Sequence, residues 1–141
     1  MSNGRTVSLQ RRYSAAPERL WDAWVDPKIL ARWFGCARDK LWTIHHWNAS
    51  PGGSLRVSMD FDGADFVVDG NFLDVKPTRL LRYTFGSPDQ IVTVSFTRDG
   101  DGTLLTLEHA GLPDDEQTML VDTGWSDCLD ALPHNLRQRK Q

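Results

Sequence analysis

Alternation of apolar and polar residues dominates the middle of the chain. Residues 6–13 alternate near the N-terminus, and the same period of two returns after Leu41. Turn residues divide the later alternating region at Pro51-Gly52-Gly53, Asp62-Gly63, Pro77 and residues 99–102. The pattern predicts one early strand followed by about six strands, many of them joined as hairpins.

Helical spacing replaces the alternation in two regions. Pro17 and Pro27 each stand where a first helical turn tolerates proline, which predicts two short helices after the first strand. From Asp114 onward, apolar residues recur at steps of three and four, which predicts a long amphipathic helix. Pro133 should kink or end that helix near Leu132. This order of elements favours an α+β fold, with a long helix packed on an antiparallel sheet.

Composition excludes several classes of protein. With 141 residues, the chain is expected to form a single domain over residues 1–141, with a core at about 6–136 and a basic tail at 137–141. Its net charge is -3 and no basic stripe is present, which disfavours nucleic-acid binding. No apolar run is long enough to span a bilayer. Cys36 and Cys128 form no C-x-x-C motif and no secretory segment precedes them, so we expect a cytoplasmic protein with reduced thiols.

Several short motifs, taken in order, resemble those of one family. They are Ala16-Pro17 to Asp26-Pro27, Trp33-Phe34-Gly35, Pro51-Gly52-Gly53, Asp69-Gly70, Pro77 with residues 81–85, residues 103–107, and Gly124-Trp125. From about residue 7 to 132, the chain is similar to the bacterial single-domain relatives of the C-terminal domain of the heat-shock-protein-ninety ATPase activator. These relatives belong to the START-like, or SRPBCC, superfamily. The resemblance implies a helix-grip fold, in which about seven antiparallel strands curl around the C-terminal helix and leave a cavity for a hydrophobic ligand.

Side chains on the inner face of this sheet are the candidate lining of the cavity. His46 shares the parity of Trp42 and Ile44, which places it on the inner face; His46, Tyr83 or His109 would orient a polar group of the ligand. For each lining residue the alternative is ordinary core packing. The candidate ligand-binding residues are Trp33, Trp42, His46, Met59, Val68, Phe72, Tyr83, Phe85, Phe96, His109, Trp125 and Leu129.

Catalytic and metal motifs are weak. Residues 124–128 nearly match the G-x-S-x-G nucleophile elbow, but Cys128 replaces the last glycine and the context is helical. Asp60, Asp62 and Asp65 lack the ligand series of a calcium loop, and turn chemistry explains them better. The adjacent His45 and His46 face opposite sides of a strand unless a bulge intervenes. We therefore predict no catalytic residue, no metal and no cofactor.

The leading hypothesis is a protein that binds a hydrophobic or amphipathic small molecule between the last helix and the sheet. One alternative is an interaction module that contacts a chaperone, another protein or a second copy of the chain as a homodimer. The other is a cyclase- or hydrolase-type enzyme that uses the same cavity. Binding is favoured over catalysis.

Overall fold

The computed structural model describes residues 4–37, 40–61 and 63–138. The predicted α+β class is confirmed, and so is the helix-grip arrangement of two short helices, a curved antiparallel sheet and a long C-terminal helix. The elements are β1 (Arg5–Tyr13), α1 (Pro17–Val25), α2 (Pro27–Trp33), β2 (Gly35–Ala37), β3 (Lys40–Leu41), β4 (Thr43–Trp47), β5 (Ser54–Phe61), β6 (Ala64–Lys76), β7 (Leu80–Phe85), β8 (Ser87–Asp99), β9 (Gly102–Leu112) and α3 (Asp115–Gln138).

The main sheet has seven strands in the order β1-β9-β8-β7-β6-β5-β4. Consecutive strands from β4 to β9 pair as antiparallel neighbours, as the turn signals predict, and β1 joins the free side of β9. A second ladder, between β2 and β3, was not predicted. Because β2 and β3 have only three and two residues, they carry too little alternation to be recognised in the sequence. Helix α3 packs against β1 and β2 and also touches α1 and α2.

Two tryptophan side chains complete the C-terminal end of α1. The indole N–H of Trp33 donates to the carbonyl of Ala23 at 3.1 Å, and that of Trp47 donates to the carbonyl of Trp24 at 2.8 Å. Carbonyls in the last turn of a helix have no partner within the helix, and buried ones need a donor from elsewhere. Side chains from α2 and β4 therefore fix the position of α1 on the sheet.

A close approach between β6 and β7 explains Gly70. A Cβ at this position would lie 1.9 Å from the carbonyl oxygen of Thr84, which no side chain can tolerate. Such a close approach of two backbones is a typical reason for a glycine inside a strand. In the pairing of β6 with β7, Phe72 lies opposite Tyr83, and both buried rings pack together with centroids 5.4 Å apart.

Of the two outcomes predicted at Pro133, a kink or an end of the helix near Leu132, the end is wrong, because α3 continues through Pro133 to Gln138. Proline has no amide hydrogen, so Pro133 leaves the carbonyl four residues earlier without its helical bond. That carbonyl belongs to Leu129, and it accepts a hydrogen bond of 2.8 Å from the buried hydroxyl of Tyr13 on β1. A side chain from the sheet thus replaces the bond that proline removes. No helix among the described residues is long and apolar enough to cross a membrane.

We expect the effects of Tyr13 and Pro133 on stability to be coupled. Tyr13→Phe should lower the free energy of unfolding by about 1–3 kcal/mol, because it leaves the Leu129 carbonyl buried without a donor. In a Pro133→Ala background the same substitution should cost clearly less, because a backbone amide is then available to that carbonyl. Urea denaturation of the two single variants and the double variant measures the coupling. Equal costs in both backgrounds would contradict this account of α3.

Candidate functional site

A continuous cluster of aromatic rings fills the space between α3 and the inner face of the sheet. Trp125 of α3 lies at its centre, with its ring centroid 5.7 Å from that of Trp24 and 5.6 Å from that of Phe34. Phe34 also contacts Trp47 at 5.8 Å, and Trp47 in turn contacts Tyr83 at 5.4 Å. Such contacts add specific edge and stacking interactions to the burial of large apolar surfaces. The cluster therefore joins the helical layer to the sheet.

One end of this cluster is open to solvent, and we call the residues Trp42, Phe66 and Phe85 the aromatic rim. Phe66 of β6 is 57% exposed, whereas Trp42 and Phe85 are half-buried. Trp42 contacts Phe66 at 6.0 Å and Phe85 at 6.1 Å. Phe85 then contacts Trp125 at 6.4 Å. A path of aromatic rings thus leads from the surface to the centre of the cluster.

Helix α3 covers the interior unevenly. Its buried face begins at Gly124, and in residues 115–123 only Thr118 and Val121 are partly covered. Met119 and Leu120 are 71% and 67% exposed. An ion pair between Asp115 and Arg5 of β1 links the first turn of α3 to the sheet, while the Asp114 carboxylate caps the helix locally by accepting from the Gln117 amide at 2.8 Å. Residues 115–123 of α3 are therefore less covered by the rest of the protein than residues 124–132.

The structure brings most of the candidate lining residues into the interior. Those that are buried are Trp33, Met59, Val68, Phe72, Tyr83, Phe96, His109, Trp125 and Leu129. Trp42 and Phe85 belong to the rim, while Phe96 lies towards α1 and contacts Trp21 at 5.6 Å. A water-sized void beside a side chain would leave part of its surface uncovered, yet Tyr83 and Leu129 are 0% exposed. Side chains fill the interior around these two residues, and a ligand role for the set stays a prediction.

His46 lies outside the interior, contrary to the sequence prediction. In the pairing of β4 with β5, Ile44 faces Val57 and His46 faces the next residue, Arg56, so His45 is an extra residue in β4. This β-bulge shifts the alternation by one position. His46 is therefore exposed on the outer face, where its ring nitrogen lies 3.2 Å from the Ser54 hydroxyl. The same shift turns Trp47 inward.

His109 is a buried histidine with both ring nitrogens occupied. Its Nδ1 accepts from the Trp125 indole at 3.0 Å, which makes Nε2 the protonated nitrogen in the neutral ring. Nε2 then donates to the side-chain oxygen of Gln90 at 2.9 Å. Burial lowers the pKa of His109 from 6.5 to about 4, so the ring is neutral near pH 7. Because neither nitrogen is free, this arrangement serves to hold α3 on the sheet rather than to transfer a proton.

Two other buried polar atoms have no such partners. The Tyr83 hydroxyl and the Trp24 indole nitrogen make no hydrogen bond to any residue that the structure describes. Burial raises the pKa of Tyr83 well above its ordinary value, which keeps the hydroxyl protonated. Both atoms are therefore available as hydrogen-bond donors inside an apolar environment.

Sequence reasoning missed several important members of the site. The bulge in β4 reverses the facing of Trp47, so alternation did not predict that its side chain is buried. Phe34 follows directly after the short helix α2, where no periodicity predicts whether a side chain faces the core. Trp24 had the helical spacing of a core residue, which does not reveal that it stacks on Trp125. Phe66 had the inward parity of β6, and only the structure shows that it lies at the open end.

The described residues contain no arrangement typical of a nucleophile elbow or a metal centre. Gly124 to Cys128 lie within α3 rather than at a turn between a strand and a helix, and the Ser126 hydroxyl accepts from Arg11 at 3.0 Å. No group of three or more His, Cys, Asp or Glu residues converges among the described positions. The site offers aromatic surface and two hydrogen-bond donors.

Comparison with known proteins agrees with the fold and the motifs. Residues 14–137 match the protein family described as Activator of Hsp90 ATPase homolog 1-like protein. The chain belongs to this family. No curated protein matches it. The family resemblance stated from the sequence motifs is thereby confirmed, and the family is consistent with the START-like superfamily.

Solved structures of similar bacterial proteins cover nearly the whole chain. Protein CV1439 of Chromobacterium violaceum is 26% identical, with a TM-score of 0.85 over 93% of this chain and 96% of that one. The AHSA1 protein of Silicibacter pomeroyi is 24% identical, with a TM-score of 0.82 over 95% and 99% of the two chains. CalU16 of Micromonospora echinospora is 28% identical, with a TM-score of 0.69 over 94% of this chain and 76% of that one. These similarities support the fold of this family member.

The position of His109 predicts that acid destabilises this family member. Between about pH 6.5 and pH 4 the unfolded chain binds a proton at His109 that the folded protein excludes, so the free energy of unfolding falls as the pH falls. The total loss from this group is on the order of 3 kcal/mol. Urea denaturation at a series of pH values measures it. His109→Gln should remove this part of the pH dependence, and an unchanged dependence in the variant would contradict the assignment.

Proposed function

We propose that this protein binds a hydrophobic or amphipathic small molecule between α3 and the sheet, and that the molecule enters at the aromatic rim. The observation that carries the proposal is the path of rings from exposed Phe66 to buried Trp125. A soluble protein that leaves large aromatic side chains at an open edge of its core loses the free energy of burying them. A ligand that covers the rim recovers that free energy.

Two further observations support this function. The first turns of α3, which precede Trp125, carry few tertiary contacts, so they can move away from the sheet at low cost. The fold family to which the chain belongs commonly binds hydrophobic ligands. Neither observation identifies the ligand, and the chemistry of the rim favours molecules with flat or flexible apolar surfaces.

Binding can be tested with defined probes. A panel from octanoic to palmitic acid, together with two-ring aromatic compounds, would be screened by thermal shift and by tryptophan fluorescence. At least one probe should raise the melting temperature, because a ligand that binds only the folded state stabilises it. Emission should change as well, since Trp42 and Trp125 lie in the proposed site. If no probe shifts the melting temperature, the proposal is wrong.

Two neighbouring residues of β6 provide a matched pair of variants. Phe66 pairs with Met59 on the inner face, whereas Val67 pairs with Ser58 and faces the other side. Both are exposed, at 57% and 47%, so truncation should change stability by less than about 0.5 kcal/mol in each case. Phe66→Ala should weaken binding of the probe about tenfold, since it removes ring contact from the ligand. Val67→Ala should leave the affinity for the probe unchanged. If the two substitutions change the affinity equally, the aromatic rim is not part of the binding site.

A further inference from the structure

Both tyrosines of this chain are buried, but their hydroxyl groups differ in hydrogen bonding. The Tyr13 hydroxyl donates to the Leu129 carbonyl, as described above. The Tyr83 hydroxyl has no hydrogen-bond partner among the described residues, although the side chain is 0% exposed. A buried polar group without a partner costs free energy, and the few such groups in a native protein require an explanation. Tyr83 therefore differs from an ordinary buried tyrosine.

The surroundings of Tyr83 place it at the inner end of the proposed site. Its ring lies 5.4 Å from that of Trp47 and 5.4 Å from that of Phe72. Its ring centroid is also 6.2 Å from that of Phe85, which in turn lies 6.4 Å from that of Trp125 on α3. Tyr83 therefore lies where the sheet meets the middle of α3.

The second donor without a described partner, the Trp24 indole N–H, belongs to a side chain that packs against Trp125 of this helix. The indole of Trp24 stacks on Trp125, with ring centroids 5.7 Å apart, and its nitrogen has no described partner. Trp125 also contacts Phe85, which packs against Tyr83. The Trp125 ring thus connects Trp24 on one side with Phe85 and Tyr83 on the other.

We propose that the Tyr83 hydroxyl, with the Trp24 indole N–H as a second donor, recognises a hydrogen-bond acceptor on the ligand. This inference rests on the proposed function and specifies its ligand class: a largely apolar, neutral molecule that carries a carbonyl or ether oxygen. An indole N–H only donates, and burial keeps the Tyr83 hydroxyl protonated. No lysine or arginine is buried among the residues whose side chains the structure describes, so a carboxylate at this depth would have no buried cation among them to compensate its charge. The ligand reaches Tyr83 past the aromatic rim, when the first turns of α3, which precede Trp125, move away from the sheet.

The first test compares the two tyrosines in the unliganded protein. Tyr13→Phe removes a hydroxyl that makes a hydrogen bond and should lower the melting temperature. Tyr83→Phe removes a hydroxyl that makes none, so the melting temperature should stay the same or rise. If Tyr83→Phe lowers the melting temperature as much as Tyr13→Phe does, the hydroxyl is already paired in the free protein and the inference fails.

The second test uses two probes that differ in one oxygen, 2-acetylnaphthalene and 2-ethylnaphthalene. Their affinities for the unaltered chain, Tyr83→Phe and Tyr13→Phe would be measured by quenching of tryptophan fluorescence. The unaltered chain should bind the ketone about tenfold more tightly, in keeping with the value of satisfying a buried donor. Tyr83→Phe should remove that preference and leave the affinity for the hydrocarbon unchanged. Tyr13→Phe should retain the preference.

The outcomes separate this inference from the proposed function. If the unaltered chain binds both probes equally, or if Tyr83→Phe keeps the preference for the ketone, the recognition of an acceptor by Tyr83 is wrong while apolar binding stands. If the chain binds neither these probes nor any member of the panel above, the proposed function fails and this inference fails with it.

Discussion

Trp125 joins the C-terminal helix to the rest of the protein. Its ring packs against rings from α1, from the segment after α2 and from β7, and its N–H donates to the buried His109. An amphipathic helix is stable mainly through the apolar face it buries, so the position of α3 depends on this residue more than on local helix propensity. The inner face of the sheet, the two short helices and the candidate site are all arranged around it.

Apolar periodicity was sufficient to predict the order of the elements and the α+β class, whereas the helix-grip arrangement was expected from the family resemblance. Local sequence patterns determine each element: alternation in the strands, prolines at the start of α1 and α2, and an amphipathic repeat in α3. The elements that these patterns predict are compatible with one fold. The aromatic content of the site was also accessible, because inward parity and burial coincide along β6 to β9. Features of this kind depend on local sequence alone.

The errors arose where the pairing of two strands or a distant residue decides the outcome. In the pairing of β4 with β5, a single extra residue, His45, reverses the facing of His46 and Trp47, and nothing in the composition of β4 marks it. Pro133 was expected to kink or end α3, but the helix continues past it, and a tyrosine more than a hundred positions earlier in the chain supplies the missing donor. The inward position of Tyr83 was suggested by its parity, whereas the absence of a partner for its hydroxyl among the described residues could be seen only in three dimensions.

The attachment of α1 has a consequence for local motions. The last turn of α1 is completed by the indole of Trp47, which belongs to an edge strand of five residues. Edge strands have a hydrogen-bonded neighbour on one side only and open more readily than central ones. When β4 detaches, α1 loses the donor for a buried carbonyl at the same moment. We therefore expect fraying of the sheet margin and loosening of the first helix to be one cooperative event, in which amide protons of the two segments share a common opening rate despite their separation in the chain.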